Sequence, residues 1–240
     1  MNRILAICIV LVSAWNVSAQ KDDEREGSKP GILWNFTGLR PAKAGKAMKY
    51  DRLVFDVTYN DWLGELRSFQ NQWSSIGLNT NLMFDFPLNK KSTVSFGTGV
   101  RHSLFRTENL SNLFVCDPTG SYTQIKEGTA SAKRILLCGN SLGIPLEFRF
   151  RTKGRDHFKF QFGFTPAYQL NIYSKTVFSN GNVSKDYHFV DLNRFALSGH
   201  IRFGIRNWAI YGACSINPLF YSRASATLHL LQLGLSVSLF

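Results

Sequence analysis

Charge is sparse in this 240-residue chain: Asp, Glu, Lys and Arg together make up 18% of it, against 44% hydrophobic and 14% aromatic residues. So little charge, combined with 20 Phe, excludes an intrinsically disordered or coiled-coil protein. Long apolar runs are scarcer still. Only the first 20 residues approach the roughly 18 that a membrane helix needs, which excludes a polytopic helical membrane protein. Cysteines number four, and Cys116, Cys138 and Cys214 lie too far apart in sequence for zinc-ligand spacing. No two histidines stand at i, i+2 or i, i+4, so neither a metal nor another cofactor is expected. Acidic residues are the minority sign, 16 against 28 basic ones, for a net charge of +12. No stacked-aromatic or Gly-rich binding motif accompanies that excess, so nucleic acid is not an expected partner.

What is present begins with an export signal over residues 1–19. Arg3 supplies a positive start, Ile4 to Val12 an apolar stretch, and Val17-Ser18-Ala19 a small-residue cleavage site. Bulky Ile7 before Cys8 does not suit lipid attachment. Residues 20–51 are charged at first and then rich in Gly, Pro and Lys, and read as an N-terminal tail on the periplasmic side. From Arg52 to the end, residues 52–240, the dominant period is two, the period of β-strands.

The clearest stretch is His157 to Tyr173. Phe158, Phe160, Phe162, Phe164, Tyr168, Leu170 and Ile172 fall on one face, and Lys159, Gln161, Gly163, Thr165 and Gln169 on the other. The same alternation recurs from Leu53, Ile76, Thr93, Leu142, Leu197, Trp208 and Leu228. Short polar links (Asn89 to Ser92, Thr152 to Asp156, Arg206 to Asn207) take turns with long ones (Asp61 to Trp73, Arg106 to Lys133, Ser174 to Asp191, Asn217 to Ser225). Short turns on one side and long loops on the other are the mark of an outer-membrane barrel, the one all-β form that pairs every backbone group in hydrocarbon without an edge. The expected fold is therefore all-β: a transmembrane antiparallel up-and-down β-barrel of about eight strands, with short periplasmic turns and long extracellular loops, in the cell outer membrane. A soluble sandwich or lipocalin-like barrel would also alternate, but nothing in it requires loop length to alternate.

The run Lys49-Tyr50-Asp51-Arg52-Leu53-Val54-Phe55-Asp56 leading to Asp61-Trp62-Leu63, then Gly77-Leu78-Asn79 through Phe84-Asp85-Phe86-Pro87-Leu88, resembles the small outer-membrane β-barrel proteins of Bacteroidota-type bacteria. The terminal Phe240 resembles the C-terminal aromatic of such barrels, although Ser238, Ser236 and Gly234 share its parity where apolar residues are usual. The resemblance implies the barrel fold and brings no agreed activity.

Charged residues of the polar faces are Asp56, Asp85, Arg101, Glu147, Arg149, Arg151, Lys159, Arg202 and Arg206, with His200 beside them. An eight-stranded barrel is just wide enough inside for side chains to fill it, so these charges are expected to share one lumen and pair into a plug; a narrow conducting path or ligand site is the alternative. His102-Ser103 is the one local pair that could serve a lipid-modifying enzyme, but neighbours on a strand point to opposite faces, so catalysis is not expected. In an oxidising compartment Cys116 and Cys138, flanking a long loop, are candidates for a disulfide, at the cost of a register break at Cys138. Tyr59, Trp62, Trp73, Tyr173, Trp208, Tyr211 and Tyr221 fall where interfacial girdles are expected. The function so indicated is a non-enzymatic structural or interaction role, as an accessory subunit of an envelope assembly. Its partners would be outer-membrane lipid and an envelope protein docking on the tail or on the loop from Arg106 to Lys133. A narrow porin or transport component and a lipid-modifying enzyme are the alternatives.

Overall fold

A computed structural model of the chain describes residues 52–64, 71–91, 93–110, 112–127, 132–153, 157–222 and 224–239. The export signal at 1–19, the tail at 20–51 and the terminal Phe240 lie outside the described residues.

Among the described residues twelve strands are present: β1 (Leu53–Gly64), β2 (Ile76–Pro87), β3 (Val94–Asn109), β4 (Asn112–Cys116), β5 (Thr123–Glu127), β6 (Ala132–Gly143), β7 (Leu146–Arg151), β8 (Phe158–Phe178), β9 (Val183–Asp186), β10 (Phe195–Ile205), β11 (Trp208–Ser215) and β12 (Leu228–Ser238). All pairings are antiparallel. β1 pairs with β2 and β2 with β3; β3 pairs with both β6 and β7, and these two pair with β8. β8 pairs with β10, β10 with β11, β11 with β12, and β12 with β1. β6 and β7 stack end to end in one position, interrupted at Ile144-Pro145, where proline cannot donate to the ladder. The result is a closed, eight-stave antiparallel barrel. Closure leaves the eight staves without an edge for another chain to pair with.

The alternation dictates which residues face out. Along β1 the residues from Val54 to Asn60 at even positions are buried, while Val57 and Tyr59 are exposed. Leu78, Leu82, Phe84 and Phe86 of β2 are exposed, as are Phe162 and Phe164 of β8 and Ile201 and Phe203 of β10. An apolar belt of this extent, on a barrel whose buried residues include many polar and charged ones, is the inverse of a soluble protein and the pattern of a barrel that faces lipid. No helix among the described residues is long and apolar enough to cross a membrane.

One end carries short connections. The tightest is Arg206-Asn207, where Arg206 takes the left-handed conformation (φ 53°) that a two-residue hairpin turn demands. Arg206 is thus an exposed turn residue and not part of the lumen, contrary to the expectation from its parity. The other end carries long connections with structure of their own. The stretch from Arg106 to Lys133 is not one loop: β3 runs on to Asn109, β4 and β5 form a separate hairpin, and β6 starts at Ala132. β8 likewise outruns its expected end and pairs with β9.

β8 holds a bulge. Asn140 pairs with Asn171 but Ser141 with Gln169, leaving Leu170 as an extra residue. Leu170 and Asn171 both face out, and Ile172 turns into the interior, whereas strict alternation would place it on the lipid face. Two of the aromatic residues expected in girdles are also inside. Trp62 (6% exposed) packs edge-on against Phe105, and Tyr211 (0%) lies in the lumen, because each has the inward parity of its strand. Tyr59, Trp73 and Trp208 are exposed, as girdle residues would be, whereas Tyr221, also exposed, lies in the loops tied at Asp191. The disulfide expected between Cys116 and Cys138 is not formed. Both thiols are free, since Cys138 stands on the outward face of β6 while Cys116 ends β4 of the separate hairpin.

Candidate functional site

The lumen is filled from the short-turn end upward by a ladder of ion pairs. Asp85 on β2 accepts from Arg149 Nη1 (2.6 Å) and Arg151 Nη2 (2.8 Å), both on β7. Arg149 also donates from Nε (3.1 Å) and Nη2 (2.5 Å) to Glu147 Oε1. The other oxygen of Glu147 meets Arg202 Nη1 (2.7 Å) and His200 Nε2 (3.1 Å) from β10. Arg202 closes a bidentate pair with Asp56 on β1 (3.0 and 2.9 Å), and Asp56 accepts in turn from Asn81 Nδ2 (2.9 Å). Asn81 receives Arg101 Nε (2.5 Å), and Arg101 Nη1 reaches the Tyr211 hydroxyl (3.3 Å). The Arg202 guanidinium lies 5.0 Å from the Tyr211 ring centroid, a cation–π contact inside the barrel. Lys159 Nζ donates to Ser238 Oγ at 2.8 Å across the closing staves.

Asp56, Asp85, Arg101, Glu147, Arg149, His200 and Arg202 thus stand in one connected network, with Lys159 in the same lumen. Paired this way, buried charges avoid the several kcal/mol that an isolated buried ion costs. Small residues make the room. Glu147 stands opposite Gly97 on one side and Gly163 on the other, and a Cβ on Gly97 would sit 2.7 Å from Arg149 Nε. Sequence reasoning did not single out Asn81 and read Tyr211 as a girdle residue, yet both link Arg101 to the ladder. It also passed over the amide rung above them, in which Gln232 Nε2 donates to Asn60 Oδ1 at 3.1 Å. Their inward parity on β1, β2, β11 and β12 was the available signal.

The long-loop end is closed by a second, apolar layer. Trp62, Phe105, Phe114, Leu137, Ile172, Phe189, Leu192, Leu219, Phe220 and Leu228 form one cluster drawn from the upper staves, the β4–β5 hairpin and two loops. Asp191 pins these loops together. Its carboxylate accepts from Thr123 Oγ1 (2.5 Å) and from Ser225 Oγ, and its carbonyl accepts from the Tyr221 amide (2.9 Å). Asn193 N donates to Leu219 O (2.8 Å), and Leu192 and Phe220 form an isolated bridge.

Outside, β3 outruns the apolar belt. Above Val100 and Leu104, the same face continues with Arg106 and Glu108, so the membrane ends below them. Glu108 accepts from Arg134 (2.7 Å to each oxygen), Arg106 (2.9 Å) and Ser74 (2.7 Å). The Arg134 hydrogen bonds pull its carboxyl down and burial pushes it up; with Ser74 and Arg106 adding to the pull, it rests at about 2 against an ordinary 4.5. A depressed carboxyl stabilises the fold above its unfolded value and stops doing so as pH falls through its folded value. Glu108→Gln is therefore expected to flatten the loss of stability between pH 4.5 and pH 2, read as urea midpoints of both proteins across that range. Parallel curves would contradict it.

His102 and Ser103 point to opposite faces: His102 shares the outward face of Val100 and Leu104, and Ser103 lines the lumen. Among the described residues, no group of three or more His, Cys, Asp or Glu side chains could hold a metal ion.

No family model matches the chain, and neither does any curated protein. Among solved structures it is similar to Ail, the attachment invasion locus protein of Yersinia pestis, at 11% identity and a TM-score of 0.33, covering 77% of this chain and 95% of that one. A superposition that loose transfers nothing about activity from one chain to the other.

Proposed function

We propose that the chain is an integral protein of a Gram-negative outer membrane, one of the small barrels its first two strands resemble, and that it acts without catalysis as a rigid mount for a binding surface at its long-loop end. The short-turn end then faces the periplasm, where the tail at 20–51 would lie. One observation carries this reading: the lumen is filled by the ladder from Asp85 to Arg101 and roofed by loops tied at Asp191, so the barrel holds its loops in a fixed shape. On that roof Tyr187 and Tyr221 are exposed, a residue type that anchors protein–protein contacts. An envelope protein is the partner this surface fits. The half-buried, outward His102 and inward Ser103 offer no nucleophile and base within reach of each other, which favours a non-enzymatic role.

Two experiments test the reading. The refolded chain in a planar bilayer should give no steady conductance; a steady, large one would overturn the sealed mount in favour of a narrow porin. Affinity purification of the tagged protein in mild detergent should recover one envelope protein in near-stoichiometric amount, lost when Tyr187 and Tyr221 are both changed to Ser. A barrel that arrives alone would count against the accessory role.

A further inference from the structure

We infer that the upper lumen, between the ladder and the roof, is a binding site for a small carboxylate, with Arg101 as its anchor. A cavity of about 70 Å³ lies there, enclosed by Arg101, Ser103, Ser141 and Ser198 below and by Trp62, Phe105 and Leu219 above, among others. The only charged side chain among its described lining residues is Arg101; none is acidic.

Arg101 differs from Arg149 and Arg202 in what it touches. Those two each meet two carboxylates. Arg101 is buried (3% exposed), yet its hydrogen-bond partners, Asn81 and Tyr211, are neutral, and its Nη2 meets no acceptor among the described residues. Asp56, the nearest acid it is coupled to, is already held by Arg202 and Asn81. A buried guanidinium with neutral partners and an unpaired N–H group favours an anion beside it. A second donor waits on the same cavity: Trp62 Nε1 is buried and also meets no acceptor. The hydroxyls of Ser103, Ser141 and Ser198 supply further donors; Phe105, Leu219 and Leu230 make part of the wall apolar, and neutral side chains such as Thr165, Gln169 and Gln232 complete it.

A cation and an indole N–H belonging to a cavity walled by neutral polar and apolar side chains suit a short-chain carboxylate better than a strongly hydrated inorganic anion. The space admits roughly four to six heavy atoms, judged against the volume that a buried water occupies. The ladder closes the way below, so such a ligand would enter past the loop segment Asn217–Leu219 that forms part of the roof.

The test reads the indole N–H resonances of the refolded, nitrogen-15-labelled protein in detergent, where the Trp62 signal is the one lost in Trp62→Phe. Acetate titrated at constant ionic strength should move that signal saturably, and acetamide, its neutral isostere, should not. Arg101→Met should weaken the acetate response at least about tenfold, the loss expected when a charge-assisted hydrogen bond to a buried cation is removed. A response absent in the parent, equal for acetamide, or unchanged in a folded Arg101→Met protein would overturn the site and leave a water-filled cavity. If Arg101→Met fails to show the folded, heat-modifiable band on a gel, the acetate-against-acetamide contrast in the parent protein decides. None of these outcomes bears on the conductance or partner experiments above, so the two readings fail separately.

Discussion

Glu147→Gln is expected to lower the stability of the barrel by about 3–5 kcal/mol, the range for breaking a buried ion pair and leaving its partner charged. Glu147 is the point where the ladder would part, since it joins Arg149 to Arg202 and also receives His200. Glutamine has nearly the same shape, so cavity formation is not the cause. It removes the negative charge and turns an N–H₂ toward side chains that are themselves donors. Arg149 would keep its ion pair with Asp85, and Arg202 its pair with Asp56. The measurement is a urea titration of the folded protein in lipid vesicles, followed by tryptophan fluorescence. Combining Glu147→Gln with Arg202→Gln should cost about 1–3 kcal/mol less than the sum of the two single changes, because each removes the other's reason to be charged. A single-variant effect below about 1 kcal/mol would show that water reaches the ladder and solvates it.

Asp191→Ala is expected to open the roof and leave the barrel intact. Two hydroxyl donors from different connections, Thr123 and Ser225, converge on its fully buried carboxylate. Hydrogen bonds to a charged acceptor contribute about 1.5–3 kcal/mol each, so losing both destabilises the closed roof by at least about 3 kcal/mol. That corresponds to a rise of about a hundredfold in the open population at tenfold per 1.4 kcal/mol. Limited proteolysis and amide exchange in residues 187–192 and 219–225 should accelerate by that factor, while the gel shift between boiled and unboiled samples persists. Loss of the gel shift would mean that roof and barrel unfold together. Equal proteolysis of the two proteins would mean that the apolar cluster around Phe220 closes the roof by itself.

Legibility followed parity. Eight lumen charges could be placed on polar faces because period-two alternation fixes a side chain's face once one face is known. The same rule, applied strictly, would have put Trp62 with Asp56, Thr58 and Asn60, and Tyr211 between Ala209 and Ala213, all buried in the structure. Reading them as girdle residues gave residue type more weight than parity. Ile172 could not be placed in this way. The bulge at Leu170 shifts every later residue of β8 by one, and no Gly or Pro at that point announces it. Arg206 shows the converse limit: its parity is that of the lumen, but the two-residue turn takes it out of the strand.

By itself the sequence determined the barrel, its apolar exterior, its filled interior and the alternation of short and long connections. These follow from local periodicity and from the demand that backbone groups in hydrocarbon be paired. Tertiary structure alone decided who pairs with whom. Asp56 meets Arg202 only when β1 and β10 face each other across the lumen, and Asp191 ties Thr123 to Ser225 only when two connections fold over the mouth. Neither contact leaves a local trace, because an ion pair or hydrogen bond depends on distance in space, and more than 140 residues separate Asp56 from Arg202. The same is true of Arg101, whose neutral partners and unpaired N–H appear only once eight strands have closed around it.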